Sequence, residues 1–230
     1  MTARLTNPRP SPVSSAIAVI AAVGIVLALA ENQGAVRQWL LVEVIGLSVL
    51  GIGVVGYRTG YRLGGILAGI LGAGICAAAL GGLLSDIGPL NRLLVVVPAF
   101  IGLFALVSGL LPVRGEGSRV MVKLGAGGVF VGVVLAGFFQ RASLFLLFVL
   151  TIGTVLAWDA GEHAVGVGQQ VGRRASTWRL ELTHLFGTAL VGICGWVLLQ
   201  VVRRFTSGGL SLTSFALVFV AVVLLTVALR

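Results

Sequence analysis

Charged residues are scarce in this chain: Asp, Glu, Lys and Arg make up 10% of its 230 residues. Soluble domains carry about 25% charged residues, so a water-soluble globule is excluded. Cysteine is scarce as well, and the two that are present, Cys76 and Cys194, fall inside apolar segments without a CxxC spacing or a nearby His. They exclude a disulfide scaffold and indicate no redox or metal motif.

Apolar residues are abundant instead, at 58% of the chain with a mean hydropathy of +1.11. A bilayer core about 30 Å thick is crossed by about 20 helical residues. Eight apolar blocks approach that length: residues 14–30, 39–57, 63–84, 93–111, 120–139, 143–158, 182–202 and 213–229. The sequence therefore predicts an all-α, polytopic transmembrane helical bundle with eight spans. Residues 1–13 would form an N-terminal tail and residues 14–230 a single transmembrane domain.

The basic residues alternate between the two sides of the predicted bundle. Lys and Arg set the orientation of spans, because they are enriched on the cytoplasmic side, whereas acidic residues contribute little. With the N-terminus inside, eleven of the sixteen fall on the inner side: Arg4, Arg9, Arg58, Arg62, Arg114, Arg119, Lys123, Arg173, Arg174, Arg179 and Arg230. Five fall outside: Arg37, Arg92, Arg141, Arg203 and Arg204. We predict a cell-membrane protein with both termini in the cytoplasm.

The first block has a second interpretation. Arg4 and Arg9 precede an apolar run that ends at residues 28–30 in Ala-Leu-Ala, the small-x-small form of a signal-peptidase site. Cleavage there would leave seven spans. The apolar run is long for a signal-peptide core and the leader before it contains prolines, so we predict that residues 1–30 are retained as an anchor.

The net charge of +9 would suggest a nucleic-acid partner in a soluble domain. Here the basic residues stand singly or in pairs between apolar blocks, where they can contact anionic headgroups. We therefore predict membrane lipids, anionic ones in particular, as partners and no nucleic acid.

The most polar connection follows the sixth block, at residues 159–181. Together with the start of the seventh block, it holds a polar cluster of Asp159, Glu162, His163, Glu181 and His184. Asp159 and His163 are four residues apart, so a helix would place them on one polar stripe. We predict that this segment continues the sixth span as a helix and lies at the cytoplasmic face, with a break favoured at Gly166, Gly168 or Gly172.

Aromatic and basic residues of the same segment suit contact with a membrane surface. Trp158 and Trp178 stand at its two ends as interface anchors, and three arginines can bind phosphates: Arg173, Arg174 and Arg179. The segment is therefore a predicted contact surface for lipid or for a protein partner at the cytoplasmic face.

A metal site is an alternative for the polar cluster, since Asp159 with His163 and Glu181 with His184 have spacings that place both side chains on one helix face. A di-metal centre needs about four carboxylates with two histidines, and the other spans supply only Glu43. Nor does the chain contain His-Glu-x-x-His or Gly-x-Ser-x-Gly. We therefore predict no metal, no cofactor and no catalytic residue, which argues against an enzyme.

The glycines predict close helix packing. Gly51-x-Gly53-x-x-Gly56 matches the dinucleotide pattern, but it lies inside a span with no strand before it, so the match is accidental. These glycines, with pairs such as Gly65 and Gly69, instead predict small-x-x-x-small surfaces within the chain or between protomers. A homo-oligomer would be compatible with them.

Two functions remain open. No ionisable residue is placed near the bilayer midplane, where ion pathways usually have one; Glu43 is assigned to a position about one turn inside its span. The sequence therefore favours a non-enzymatic scaffold or assembly subunit of the membrane. The alternative is a small-solute transporter or channel-like protein, which a polar cavity beside Pro98 or among Ser48, Thr151 and Thr188 would indicate.

The run Trp158-Asp-Ala-Gly-Glu162-His163-Ala-Val-Gly-Val-Gly-Gln169, with Arg179-Leu-Glu181-Leu-Thr-His184, resembles a family of uncharacterised multi-spanning membrane proteins from halophilic archaea. The resemblance covers that stretch and the general layout. It implies a hydrophobic, Arg-rich membrane protein without assigned activity, in a gene neighbourhood with MoxR-type ATPases and their membrane-linked partners. No functional residue is established in that family, so none is carried over.

Overall fold

The computed structural model describes residues 9–30, 33–113, 117–170 and 178–205, and these contain seven α-helices and no strand. The helices are α1 (Pro12–Leu29), α2 (Gly34–Arg58), α3 (Arg62–Asp86), α4 (Leu90–Leu110), α5 (Arg119–Phe139), α6 (Leu144–Gln170) and α7 (Trp178–Phe205). Each is long and apolar enough to cross a membrane. The all-α membrane class and seven of the predicted spans are thereby confirmed. The eighth, residues 213–229, lies outside the described residues.

Local sequence explains where several helices begin. Pro12 is the first residue of α1, a position where its missing N–H is not needed. Ser118 caps α5 by accepting a hydrogen bond from the N–H of Met121 at 3.2 Å. Between α2 and α3 the chain reverses at Gly60, whose φ of +107° is open to glycine at little cost.

The helices pack mainly in pairs: α2 with α3, α4 with α5, and α1 and α5 with α6. Residues 1–189 form one compact unit, whose core is richest on α4, where Phe100, Leu103 and Leu106 are buried. Residues 190–230 form a second unit, whose described part is the helical stretch up to Phe205.

Glycines allow the backbones of α2 and α3 to touch. A Cβ added to Gly65 would lie 2.3 Å from the backbone nitrogen of Tyr57, and one added to Gly72 would lie 2.4 Å from that of Leu50. At the far end of the pair, the Trp39 ring lies against Gly82. Such close approach is the role of small residues in membrane helices, as their spacing predicts.

Two helix boundaries differ from those expected. α2 begins at Gly34, five residues before the apolar block, so Glu43 is the tenth of its 25 residues rather than one turn inside. α6 continues through Gly166 and Gly168 to Gln170, so no break occurs at those two glycines, and Gly172 lies outside the described residues. A predicted apolar block ends at a polar residue, whereas the hydrogen bonds of the helix continue past that residue.

Candidate functional site

The starts of α1 and α7 and the second half of α6 meet in a set of polar side chains. This set, the α1–α6–α7 cluster, consists of Ser11, Ser14, Asp159, His163, Glu181, His184 and Thr188. Its three members on α7 are spaced i, i+3 and i+7, so they lie on one face of that helix. The flanking apolar residues Leu182 and Phe186 are exposed. This part of α7 is therefore polar toward the protein and apolar outward, as suits a helix in lipid.

Glu181 is the most deeply buried acidic residue of the cluster, with 1% of its surface exposed. Its Oε2 accepts hydrogen bonds from the backbone N–H of Ser14 at 3.0 Å, from the Ser14 hydroxyl at 2.7 Å and from the Ser11 hydroxyl. Ser11 is the N-cap residue of α1, yet its side chain makes no capping bond to α1 itself. Glu181 supplies that cap from another helix.

Glu181 lies close to two helix N-termini. It lies in the first turn of α7, and the N–H that it accepts belongs to the first turn of α1. Helix N-termini carry a partial positive charge, so one carboxyl group stands at the positive ends of two helix dipoles. Glu181 therefore joins α1 to α7 by hydrogen bonding and by electrostatics together.

Asp159 joins α6 to α7. Its Oδ2 is 3.0 Å from Nε2 of His184 and accepts a hydrogen bond from the Thr188 hydroxyl at 2.6 Å. The rings of His163 and His184 stack, with centroids 4.3 Å apart and planes 11° from parallel. The sequence-predicted residues Asp159, His163, Glu181 and His184 are thus brought together around one helix contact.

Glu162 belongs to a different face of α6. Its Oε1 is 3.3 Å from Nζ of Lys123 on α5. Seven residues further along α6, Gln169 accepts a hydrogen bond from Nη2 of Arg119 at 3.1 Å. The polar residues of α6 therefore occupy two faces. Asp159 and His163 share the face toward α7, as their spacing predicts, whereas Glu162 lies on a second face toward α5.

The chain before α1 crosses the surface of α6. The N–H of Ser11 donates to the carbonyl of Ala164 at 2.9 Å. One turn further along α6, the carbonyl of Arg9 lies directly over Gly168, where an added Cβ would be only 2.1 Å from that oxygen. This explains why α6 needs glycine at position 168. The missing side chain leaves room for the irregular segment before α1, which places Ser11 beside Glu181.

Replacing Gly168 with alanine is expected to destabilise the protein by about 1–3 kcal/mol, the usual cost of overpacking. The new Cβ would push Arg9 and Pro10 away and so weaken the Ser11 contacts. Unfolding of the purified protein by increasing SDS in mixed micelles measures this loss of stability. Gly166→Ala is the matched control, since its Cβ meets only the guanidinium end of the Arg119 side chain, at 3.4 Å. Equal stability of the two variants would contradict the prediction.

The predicted interface residues lie at the start of α7 and on α6. Trp178 is 48% exposed, and the Arg179 guanidinium lies 5.3 Å from the centre of its ring, a cation–π contact. Trp158 is half-buried within α6. Arg173 and Arg174 lie outside the described residues, so their contact with lipid or a partner stays a prediction.

The cluster offers helix contacts more readily than metal ligands. Among residues 9–30, 33–113, 117–170 and 178–205, no group of three or more His, Cys, Asp or Glu is arranged to hold a metal ion. Oε2 of Glu181 accepts hydrogen bonds from the serines of α1. The side chains of the cluster form hydrogen bonds between helices.

A groove of about 510 Å³ lies beside the cluster on the α1, α6 and α7 surface. Its walls are Ile17, Leu156, Leu182, Thr183, Leu185, Phe186 and Ala189. The one hydroxyl among them, that of Thr183, donates to the carbonyl of Arg179 at 2.8 Å. Such walls suit an acyl chain better than a polar solute. Of the positions named for a transport cavity, Ser48 bonds to the carbonyl of Val44 and Thr188 to Asp159.

Fold and cluster together define a multi-helix membrane protein whose polar side chains join its helices. A family of unknown function, DUF7519, matches residues 87–226, and the chain belongs to this family. No curated protein and no solved structure matches. The uncharacterised family that the resemblance implied is thereby confirmed, and its source in halophilic archaea stays a prediction. The match covers α4 to α7, but not Ser11 or Ser14.

Sequence reasoning missed the serine side of the cluster. A signal was present, because a serine followed by proline at the start of an apolar run, here Ser11-Pro12, is typical of a helix N-terminus. That pattern locates the cap but cannot show that a residue 170 positions away supplies its acceptor.

Proposed function

We propose that this chain is a non-enzymatic multi-pass membrane protein that acts as a scaffold or assembly subunit, with both termini in the cytoplasm. One observation supports the assembly role most directly. While one face of α3 packs on α2, its opposite face is exposed and carries Gly64, Leu67, Leu71, Gly74, Ala78 and Gly81. We call this face the α3 outer stripe.

The stripe has the spacing and the residue sizes of a helix-docking surface. Its members alternate at three and four residues, the period of a continuous seam along a helix. A Cβ added to Gly64, Gly74 or Gly81 would meet nothing within 4 Å. Glycine lowers helix propensity and gains nothing against lipid alone, whereas it lets a second helix approach closely. The stripe therefore favours a partner helix, from another protein or from a second copy.

Affinity purification in a mild detergent tests this proposal. Introducing Gly74→Leu together with Gly81→Leu should leave the fold intact, because both positions are open, and should reduce the co-purifying protein or second copy at least tenfold. Gly127→Leu is the matched control, since Gly127 on α5 is also open and lies off the stripe. If the double variant keeps the partners of the parent, the stripe is not the docking surface and the assembly proposal fails.

The segment that follows α6, together with the first turn of α7, is proposed to add a membrane-surface contact. Replacing Arg173, Arg174 and Arg179 with Gln should weaken binding to vesicles that contain anionic lipid, because each charge near the surface contributes about 1 kcal/mol. Co-sedimentation with anionic and with zwitterionic vesicles measures the change, and only the anionic series should respond. Unchanged binding would reduce this segment to a connector.

A small-solute transporter is the second candidate, and one residue favours it. Glu43 is a buried carboxyl group inside α2, and ionisable residues within spans are often part of transport pathways. Solute flux into proteoliposomes would raise this candidate above the scaffold.

A further inference from the structure

Glu43 lies close to the middle of α2. As the tenth of 25 residues it is about 14 Å from the start of the helix, at 1.5 Å per residue. Only 3% of its surface is exposed. α2 is long and apolar enough to cross a membrane, and in such a helix the carboxyl group of Glu43 would lie far from water at either end.

The surroundings of Glu43 are apolar and tightly packed. On the same face of α2, Leu40 and Leu47 are buried, and Gly46 touches α3 so closely that an added Cβ would be 2.7 Å from the sulfur of Cys76. Cys76 donates its thiol hydrogen to the backbone carbonyl of Glu43 at 3.7 Å and leaves the side chain unbonded.

Among the described residues, no basic side chain forms an ion pair with the carboxyl group of Glu43. Its Oε2 is buried and has no hydrogen-bond partner within the part of the chain that the structure describes. The ion pairs found there join Lys123 to Glu162 and His184 to Asp159, and neither includes Glu43. Glu181 shows the contrast, because it is equally buried but accepts three hydrogen bonds at two helix N-termini.

An isolated carboxylate in such a place would lose its hydration without compensation. A metal cation would compensate it only with about six oxygen ligands, and the α2–α3 contact beside Glu43 is built from apolar side chains, glycines and a thiol. A single proton neutralises the group with no further ligand. We infer that Glu43 is a proton-binding site at the centre of the α2–α3 pair, where it carries a proton instead of a charge.

This site goes beyond the scaffold proposal and is independent of it. The α3 outer stripe is on the opposite side of α3 from Cys76, so a helix could dock there whatever the state of Glu43. A buried proton-carrying group is not needed to hold helices together, since apolar residues of similar volume do so as well. It gives the membrane domain a group on which a proton-coupled step can act.

Infrared spectroscopy of the full chain in lipid at neutral pH tests the inference. A protonated carboxylic acid has a carbonyl stretching band above the amide band, and this band shifts in D₂O. The parent protein should show one, Glu43→Gln should lose it, and Glu181→Gln should keep it. Since glutamine resembles the neutral acid in shape, Glu43→Gln should also keep the melting temperature of the parent.

A second variant controls for misfolding of Glu43→Gln. In protein grown with ¹³C-glutamate, the isotope shifts the carbonyl band of a protonated glutamic acid. Glu43→Asp should remove this shifted band, and a band from the new aspartic acid should be unshifted. If the parent shows no such band, or if Glu43→Gln and Glu43→Asp both retain it unchanged, then Glu43 carries no proton and the inference is overturned. Neither result would bear on the purification test of the α3 outer stripe.

Discussion

Replacing Glu181 with leucine should lower the free energy of unfolding by about 3 kcal/mol, the largest effect expected of any single substitution considered. Leucine has a similar volume but no acceptor. Two hydroxyls, those of Ser11 and Ser14, and the N–H of Ser14 would lose their partner while remaining buried. Each orphaned group costs about 1–3 kcal/mol, although the serine side chains can turn toward nearby carbonyls and recover part of it.

Additional substitutions distinguish hydrogen bonding from lost packing. Adding Ser11→Ala and Ser14→Ala to Glu181→Leu removes the orphaned hydroxyls, so this triple variant should be more stable than Glu181→Leu alone. Non-additivity of this kind is expected for residues of one network. SDS titration followed by circular dichroism measures all of them. A triple variant that is less stable than the single one by the sum of the separate losses would contradict a shared network.

Replacing Gly65 with alanine should cost about 1–3 kcal/mol, through overpacking of a backbone contact. The added Cβ would lie 2.3 Å from the nitrogen and 2.6 Å from the Cα of Tyr57, and 2.7 Å from the carbonyl oxygen of Gly53. Backbone atoms cannot turn aside as a side chain can, so α2 and α3 must separate. The separation should also loosen Trp39, which lies against α3 and bonds to Asp86 at 2.8 Å.

The neighbouring glycine provides the control for this substitution. Gly64 is open on the outer face of α3, and a Cβ there meets nothing within 4 Å. Gly64→Ala should therefore keep full stability or gain up to about 1 kcal/mol from better helix propensity. Melting of both variants in the same detergent compares them directly. If Gly64→Ala proves as damaging as Gly65→Ala, the backbone contact between α2 and α3 is not what the glycine protects.

Several features followed from the sequence because they depend on local composition. Blocks of about 20 apolar residues predict membrane helices, since a backbone in lipid must satisfy its hydrogen bonds within the helix. Seven such helices are present in the described residues. The polar residues Asp159, His163, Glu181 and His184 also stood out, because polar groups are rare in such a composition.

The tertiary structure decided how those groups are used. Hydropathy showed where a helix is apolar but not where its hydrogen bonds end, so the depth of Glu43 was underestimated. The predicted continuation of α6 past Trp158 is confirmed as far as Gln170, but the break favoured at Gly166 or Gly168 does not occur. The partner of Glu181 was also beyond reach, because Ser11 is distant in sequence and only the packing of α1 on α6 brings it near. Local composition determines which segments enter the membrane. The pairing of their faces determines which buried polar group receives a partner, as Glu181 does, and which, like Glu43, has none among the described residues.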